Sequence, residues 1–285
     1  MPLLRLPSPY DFELSTGRYR AFGPDLANLW HEGALYRVVD GREVRIVAAP
    51  GGVAVQPLDA RVENVVRLLL GEPFDLDAFY RFVTFDPILV RIAKQLRGLR
   101  PPLAPTPFES LVTSITAQQV SLRAAFAIRN RLIQRFGEPP SHQFVAESSG
   151  ALSFPTRDVI ARAREEELVA LGFSRRKAAY VIGLARSQLD LEALAALPDD
   201  EVKARLTALP GIGEWTADWF LARHLARPRA WPAGDLGLRK AVSAFYGDDT
   251  MLSTEEVRTL GARFDPFQNL TAHYLLTGLQ RELWK

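Results

Sequence analysis

The spacing of apolar positions changes once along the chain. Ala34-Leu-Tyr-Arg-Val-Val39 and Glu43-Val-Arg-Ile-Val-Ala48 are apolar runs separated by Asp40-Gly41, which suits the tight turn of a β-hairpin. A further short strand, Gly52-Val-Ala-Val-Gln56, follows the breaker Pro50-Gly-Gly52, and an earlier one is expected through Asp11-Phe-Glu-Leu14. Between them, Pro24-Asp-Leu-Ala-Asn-Leu-Trp30 reads as a helix. From Asp59 onward the period becomes helical, with Val62, Val65, Val66 and Leu69 on one face. Beyond Phe74 the pattern predicts helices over 77–84, 86–97, 108–118, 121–136, 156–171, 174–188, 199–208, 214–225, 236–246, 253–263 and 267–283. Ser253, three residues before Glu256, has capping-box spacing. The prolines of Arg100-Pro-Pro-Leu-Ala-Pro-Thr-Pro107 exclude a helix and deliver the chain to the one beginning near Phe108. The expected class is mostly α, with an N-terminal antiparallel α+β domain over 1–73 and a helical core over 74–285.

Composition narrows the chemistry. With 285 residues, 47% of them hydrophobic, the chain can bury a substantial core. There is no cysteine, which excludes disulfides, thiol catalysis and cysteine-held zinc or iron–sulfur clusters. The four histidines, His31, His142, His224 and His273, lack metal-ligand spacing, and no P-loop or dinucleotide fingerprint is present. Net charge is only +2, but the basic residues are almost all arginine; the lysines are Lys94, Lys177, Lys203, Lys240 and Lys285. That bias fits either codon composition or a phosphate-binding face, since arginine forks onto phosphate oxygens. No signal-peptide core or membrane-length apolar run is present, so a soluble, cytoplasmic protein is expected.

The chemistry concentrates in Leu209-Pro-Gly-Ile-Gly-Glu-Trp-Thr216, where a helix-forming run meets a Pro/Gly turn and a second helix opens at once. Glycine removes the Cβ and allows positive φ, so the backbone can approach a partner closely. The free N–H groups of the second helix make an anion site. In the turn Pro232-Ala-Gly-Asp235, Asp235 follows Gly213 by 22 positions and opens another helix. The hairpin alone implies contact with a nucleic-acid backbone and no more. Hairpin and Asp turn together resemble the helix-hairpin-helix, Gly/Pro-Asp superfamily of DNA base-excision glycosylases, most closely the 3-methyladenine DNA glycosylase II (AlkA-like) branch. A second stretch, Phe108-Glu-Ser-Leu-Val-Thr-Ser-Ile-Thr-Ala-Gln-Gln-Val-Ser121, is similar to the segment of that family in which a loop side chain fills the gap left by an extruded base.

The resemblance implies a helix-hairpin-helix glycosylase fold of two helical lobes, preceded by a small antiparallel sheet domain, with the hairpin at 199–225 and the Asp turn at 232–236. It makes Asp235 the catalytic carboxylate, beside a sugar that gains positive charge as the N-glycosidic bond breaks; a helix N-terminus favours that negative charge, and an ordinary N-cap is the alternative reading. Trp215 and Trp219, four residues apart on one helix face, become pocket walls, with Phe267 a third, although core packing is the usual role of such a pair. Leu209, Gly211, Ile212, Gly213 and Thr216 would meet the DNA backbone, with Gln118, Gln119 and Ser121 at the gap; Gln119 would be the wedge, where relatives carry leucine. These three could instead cap the adjoining helices. Trp231 reads as packing, and Asp218 and Asp248-Asp249 as solvated. Bifunctional relatives carry a Schiff-base lysine where Trp215 stands, so the chain is expected to release a base without cutting the strand. No cofactor or iron–sulfur cluster is expected; a monovalent cation, Na⁺ or K⁺, on the carbonyls of Leu209, Gly211 and Ile212 follows from relatives only. The expected partner is double-stranded DNA carrying damaged bases, met by a monomer. Alkylated bases (3-methyladenine, 7-methylguanine) are the first substrates expected. Ethenoadenine, hypoxanthine or oxidised purines, and a non-catalytic DNA-binding module, stay open.

Overall fold

In the computed structural model, which describes residues 1–141, 149–247 and 250–284, the N-terminal sheet is built as the apolar runs require. Its strands are β1 (Leu3–Arg5), β2 (Leu29–His31), β3 (Ala34–Val39), β4 (Arg42–Ala49) and β5 (Gly52–Gln56), arranged antiparallel in the order β1-β5-β4-β3-β2. The β3–β4 turn uses Asp40 at φ 47° and Gly41 at φ 72°, the left-handed pair that matches strand twist. Leu35, Val44, Ile46, Val53 and Val55 form the inner face, buried against Val62, Val66 and Leu69 of α3 (Ala60–Leu69). Asp59 starts that helix by accepting from the Val62 amide at 2.9 Å.

Two short expectations fail here for the same reason. Asp11–Leu14 is not a strand: Asp11 caps α1 (Phe12–Thr16), its Oδ1 taking the Leu14 N–H at 2.8 Å, followed by α2 (Arg18–Ala21). Residues 24–30 are not a helix. The Asp25 carboxylate accepts from the amides of Ala27 (3.1 Å) and Asn28 (3.3 Å), which turns the chain into edge strand β2. Aspartate bonding to nearby amides overrode apolar spacing in both segments. Strand β1 was not foreseen.

After α3 come α4 (Leu76–Phe82), α5 (Pro87–Gln95), α6 (Pro107–Ala117) and α7 (Leu122–Phe136). The expected 156–171 helix is two, α8 (Arg157–Arg162) and α9 (Glu165–Ala170), because Ala163 and Arg164 are extended. Then follow α10 (Arg175–Arg186), α11 (Asp199–Thr207), α12 (Glu214–Arg223), α13 (Leu236–Tyr246), α14 (Thr254–Gly261) and α15 (Gln268–Gln280). One apolar core joins α6 to α12, from Phe108 to Ala230. A second joins residues from Phe74 to Leu103 with residues from Ala233 to Leu275. The proline linker crosses between them: Ala104 donates its N–H to Arg223 O at 2.8 Å, and His224 Nδ1 meets Ala104 O at 2.8 Å.

A buried charge network ties the sheet to the first helical core. The Glu109 carboxylate accepts from Arg37 Nη2 and Arg129 Nη2, both at 2.6 Å, and Arg129 also bonds Asp25. Burial alone would raise the Glu109 pKa; the two guanidiniums outweigh it and hold it below the ordinary carboxylate range.

Candidate active site

A cavity of about 440 Å³ opens where α2, the proline linker, α6, α7, α12, α13 and α15 converge, and Asp235 lines it. Pro232 to Gly234 turn the chain, the Asp235 amide donating to Pro232 O at 2.8 Å, and Asp235 then caps α13 through Oδ1, which accepts from the Leu238 amide at 2.8 Å. The other oxygen, Oδ2, accepts from two indoles, Trp215 Nε1 at 2.7 Å and Trp219 Nε1 at 3.0 Å. A carboxylate offers about four acceptor positions. Three are filled by fixed N–H donors, so the group is held in place with one position left. That arrangement suits standing negative charge beside a developing cation better than proton shuttling.

The i, i+4 spacing of the tryptophans therefore brings both indole N–H groups, rather than both ring faces, to one oxygen. Trp215 lines the cavity. Trp219 is 2% exposed, with the Arg223 guanidinium carbon 3.5 Å from its ring centre and His273 edge-on at 5.8 Å. It supports Asp235 from behind and is not an open wall. Phe267 is displaced further: it packs in the second helical core against Phe79 (5.9 Å) and Phe82 (5.0 Å) and does not line the cavity. Beside Trp215, the aromatic lining comes from Tyr19, Phe22 and Phe126, which the sequence did not single out, with the Phe22 and Phe126 rings 5.5 Å apart. Phe126 has only the signature of a core position on α7, and Tyr19 and Phe22 lie outside both recognisable motifs.

The hairpin forms as expected, α11 and α12 meeting at Leu209–Gly213. Gly213 caps α12 without a side-chain bond; the Thr216 amide turns back to Gly213 O at 3.0 Å, which leaves the Glu214 and Trp215 amides without a partner among the described residues. Gly211, at φ 82°, has a use beyond close approach: a Cβ there would lie 2.1 Å from Tyr180 Cγ. Ile212 is buried in the first core and Leu209 packs against it, so these two contribute backbone rather than side chain to the hairpin surface. Gln118 Nε2 donates to Gly211 O at 2.9 Å and Thr216 Oγ1 at 3.1 Å. Gln118 and the buried Thr216 thus latch the hairpin to α6 instead of presenting side chains outward. Ser121 caps α7 through the Ala124 amide at 3.2 Å. Gln119 caps nothing; it is exposed at φ 54° between α6 and α7.

Among the described residues no lysine lines the cavity. Lys177, in a groove beside the hairpin, donates to Thr116 O at 2.9 Å, and Lys203 pairs with Asp218 at 2.6 Å. Asp218 is 5% exposed, not solvated, and burial raises its pKa. Trp231 donates to Val257 O at 2.9 Å and packs on Phe264. His142 and Asp248-Asp249 lie outside the described residues. Among the described residues no group of three or more His, Asp or Glu is placed to hold a metal ion.

Comparison with known proteins agrees with this geometry. The chain is 28% identical over 221 residues to a DNA-3-methyladenine glycosylase of Bacillus subtilis, covering 75% of this chain and 71% of that one. It is 29% identical over 297 residues to a probable bifunctional transcriptional activator/DNA repair enzyme AlkA of Mycobacterium tuberculosis, covering 97% of this chain but only 57% of that one. Among solved structures, the 3-methyladenine DNA-glycosylase from Archaeoglobus fulgidus superposes with a TM-score of 0.86 at 28% identity, over 98% of both chains. The family model for HhH-GPD superfamily base excision DNA repair proteins matches residues 112–265, from α6 to just before α15 and through both the hairpin and Asp235. The chain belongs to the HhH-GPD superfamily of base excision DNA repair proteins.

Proposed function

We propose that the protein is a monofunctional DNA glycosylase that extrudes alkylated bases and hydrolyses their N-glycosidic bond, leaving an abasic site. The observation that carries this reading is Asp235 at the cavity surface, its carboxylate held by two indoles and one backbone amide. A pure DNA-binding module has no use for a carboxylate fixed in a cavity beside a negatively charged backbone. The names of the relatives support alkylated purines as the substrate class.

In this reading the unpartnered amides of α12 and the hairpin backbone hold a phosphate. Gln119 enters the gap in the duplex, its exposed left-handed backbone placing the side chain at the loop tip. The base enters the cavity while the deoxyribose stops at Asp235. As the glycosidic bond lengthens, the base leaves with the bonding electrons and the carboxylate stabilises the sugar cation; water then adds at the anomeric carbon and gives up one proton to solvent. Bases carrying positive charge leave readily, so the reaction asks little of a general acid. A monovalent cation at the hairpin belongs to the same proposal: Leu209 O and Gly211 O each accept one hydrogen bond within the protein, which leaves each a second lone pair.

The test is incubation with methylated duplex DNA. Free base should appear together with alkali-labile sites, without strand nicks, and borohydride should trap no covalent adduct. A trapped adduct on Lys177, Lys203 or Lys240 would overturn the monofunctional assignment.

A further inference from the structure

Two half-buried guanidiniums in the cavity have no bonding partner among the described residues. Arg223 sits over the Trp219 ring at 3.5 Å, and its Nε is buried with no hydrogen-bond acceptor. Arg18, on α2, lies 5.9 Å from the centre of the Phe22 ring and feels the charges of Asp25 and Asp235 without bonding either. Neither side chain makes a hydrogen bond or ion pair among the described residues. His273, on α15, is 8% exposed, and its Nε2 also lacks a partner. Burial, then the like charges of Arg223 and Arg18, hold its imidazole well below the ordinary histidine range, so the ring is neutral. All three residues line the cavity that holds Asp235. Asp235 does not neutralise the arginines by direct contact, because its bonds go to the two indoles and the Leu238 amide.

Unpaired donors in a cavity are costly until a ligand supplies acceptors. The ligand here is the extruded base, and its class follows from the donors. Arg223 already covers the Trp219 face that a cationic ring would use for stacking, so cation–π attraction through Trp219 is spent within the protein. What remains is the set of N–H donors of Arg223 and Arg18, beside a neutral imidazole that carries one N–H and one acceptor nitrogen. It matches the O6 and N7 edge of guanine, the pattern an arginine fork reads in a base. Adenine places an amino group where guanine has O6, setting donor against donor. A backbone phosphate also has acceptors, but it would have to enter a cavity that already holds the Asp235 carboxylate.

We propose that Arg223 and Arg18, with His273 beside them, form a donor wall that reads a carbonyl edge on the extruded base, so that among N3-methylated purines the pocket favours guanine over adenine. The inference rests on the glycosylase reading and goes beyond it in assigning the selecting residues.

The experiment uses duplex DNA methylated with a radiolabelled methylating agent, and measures released 3-methylguanine and 3-methyladenine by chromatography from the same reaction. Their ratio cancels the fraction of folded enzyme. Arg223→Met and Arg18→Met should each lower the 3-methylguanine to 3-methyladenine ratio, by about 10-fold or more for a lost base-reading arginine. Arg18→Met reads the same ratio from an element that does not support Trp219. Equal loss of both products in both variants would overturn the proposal and leave the arginines as supports of the Asp235 site. An unchanged ratio, with a DNA-binding salt dependence shallower by about one counterion, would overturn it in favour of a phosphate contact. Release of neither base by the wild-type protein would overturn the glycosylase reading itself.

Discussion

Gly211 offers a sharp test of how the hairpin is built. Replacing it with alanine has two separable costs. The backbone φ of 82° is one that L-residues avoid, at roughly 1–2 kcal/mol. The new methyl would also stand 2.1 Å from Tyr180 Cγ and 2.2 Å from Cδ2, so the ring or the turn must move. Forcing one extra carbon into a packed site typically costs about 1–3 kcal/mol. Gly211→Ala should therefore lose about 2–5 kcal/mol of stability, the sum of the two. Duplex affinity should fall alike for damaged and undamaged DNA, because the turn presents backbone rather than base-reading groups. Tyr180→Ala removes the obstructing ring but not the φ strain. In a double-mutant cycle by denaturant unfolding, with anisotropy for DNA binding, the pair should recover only the steric part, a coupling of about 1–3 kcal/mol. Wild-type stability and affinity for Gly211→Ala, or no coupling to Tyr180, would refute this account of the turn.

Two further outcomes follow from particular residues. Gln119→Gly relieves a left-handed strain worth roughly 1–2 kcal/mol, so the fold should hold or gain stability; excision from duplex DNA should nevertheless slow while affinity for abasic DNA changes little, and equal excision rates would remove the wedge. Glu109 has a depressed pKa in the folded protein, so the stability it contributes is present above its unfolded value of 4.5 and is lost as pH falls through its folded value. Glu109→Gln should cost about 3–5 kcal/mol near neutrality, since it leaves buried guanidiniums underpaired, and should flatten the acid limb of a stability–pH curve; an unchanged limb would exclude Glu109.

What was legible in the sequence was local. The Asp40-Gly41 hairpin, the Leu209–Gly213 turn and the Asp235 cap each depend on a few adjacent residues whose conformational demands are strong. The failures fall where apolar spacing was short and an aspartate took control, as at Asp11 and Asp25. In the site, sequence placed Trp215, Trp219 and Asp235 together, but a period of four says only that two rings share a face. That their N–H groups meet one carboxylate oxygen depends on where α13 lies. Phe267 was carried over from a resemblance, and the Phe79 and Phe82 rings hold it elsewhere. Arg18 and Arg223 gave no signal, because nothing near either in the chain marks it as lining the cavity; the Arg37–Glu109–Arg129–Asp25 network gave none because its partners lie far along the chain, Arg37 and Glu109 72 positions apart and Asp25 and Arg129 104.

The central claim is that Asp235 supplies negative charge to the transition state, and Asp235→Asn tests it most directly. The amide has one acceptor oxygen for three N–H donors, so it can serve Leu238 or the indoles but not both, and a loss of about 1–3 kcal/mol of stability is expected for a buried donor left unpaired. Thermal unfolding and binding to abasic DNA should show a folded protein that still grips the duplex. Single-turnover release of methylated bases from duplex DNA should then fall by about 100- to 1,000-fold, the scale of one lost transition-state interaction. Release within a few-fold of wild type by the folded Asn protein would contradict the account and leave Asp235 as no more than the cap of α13.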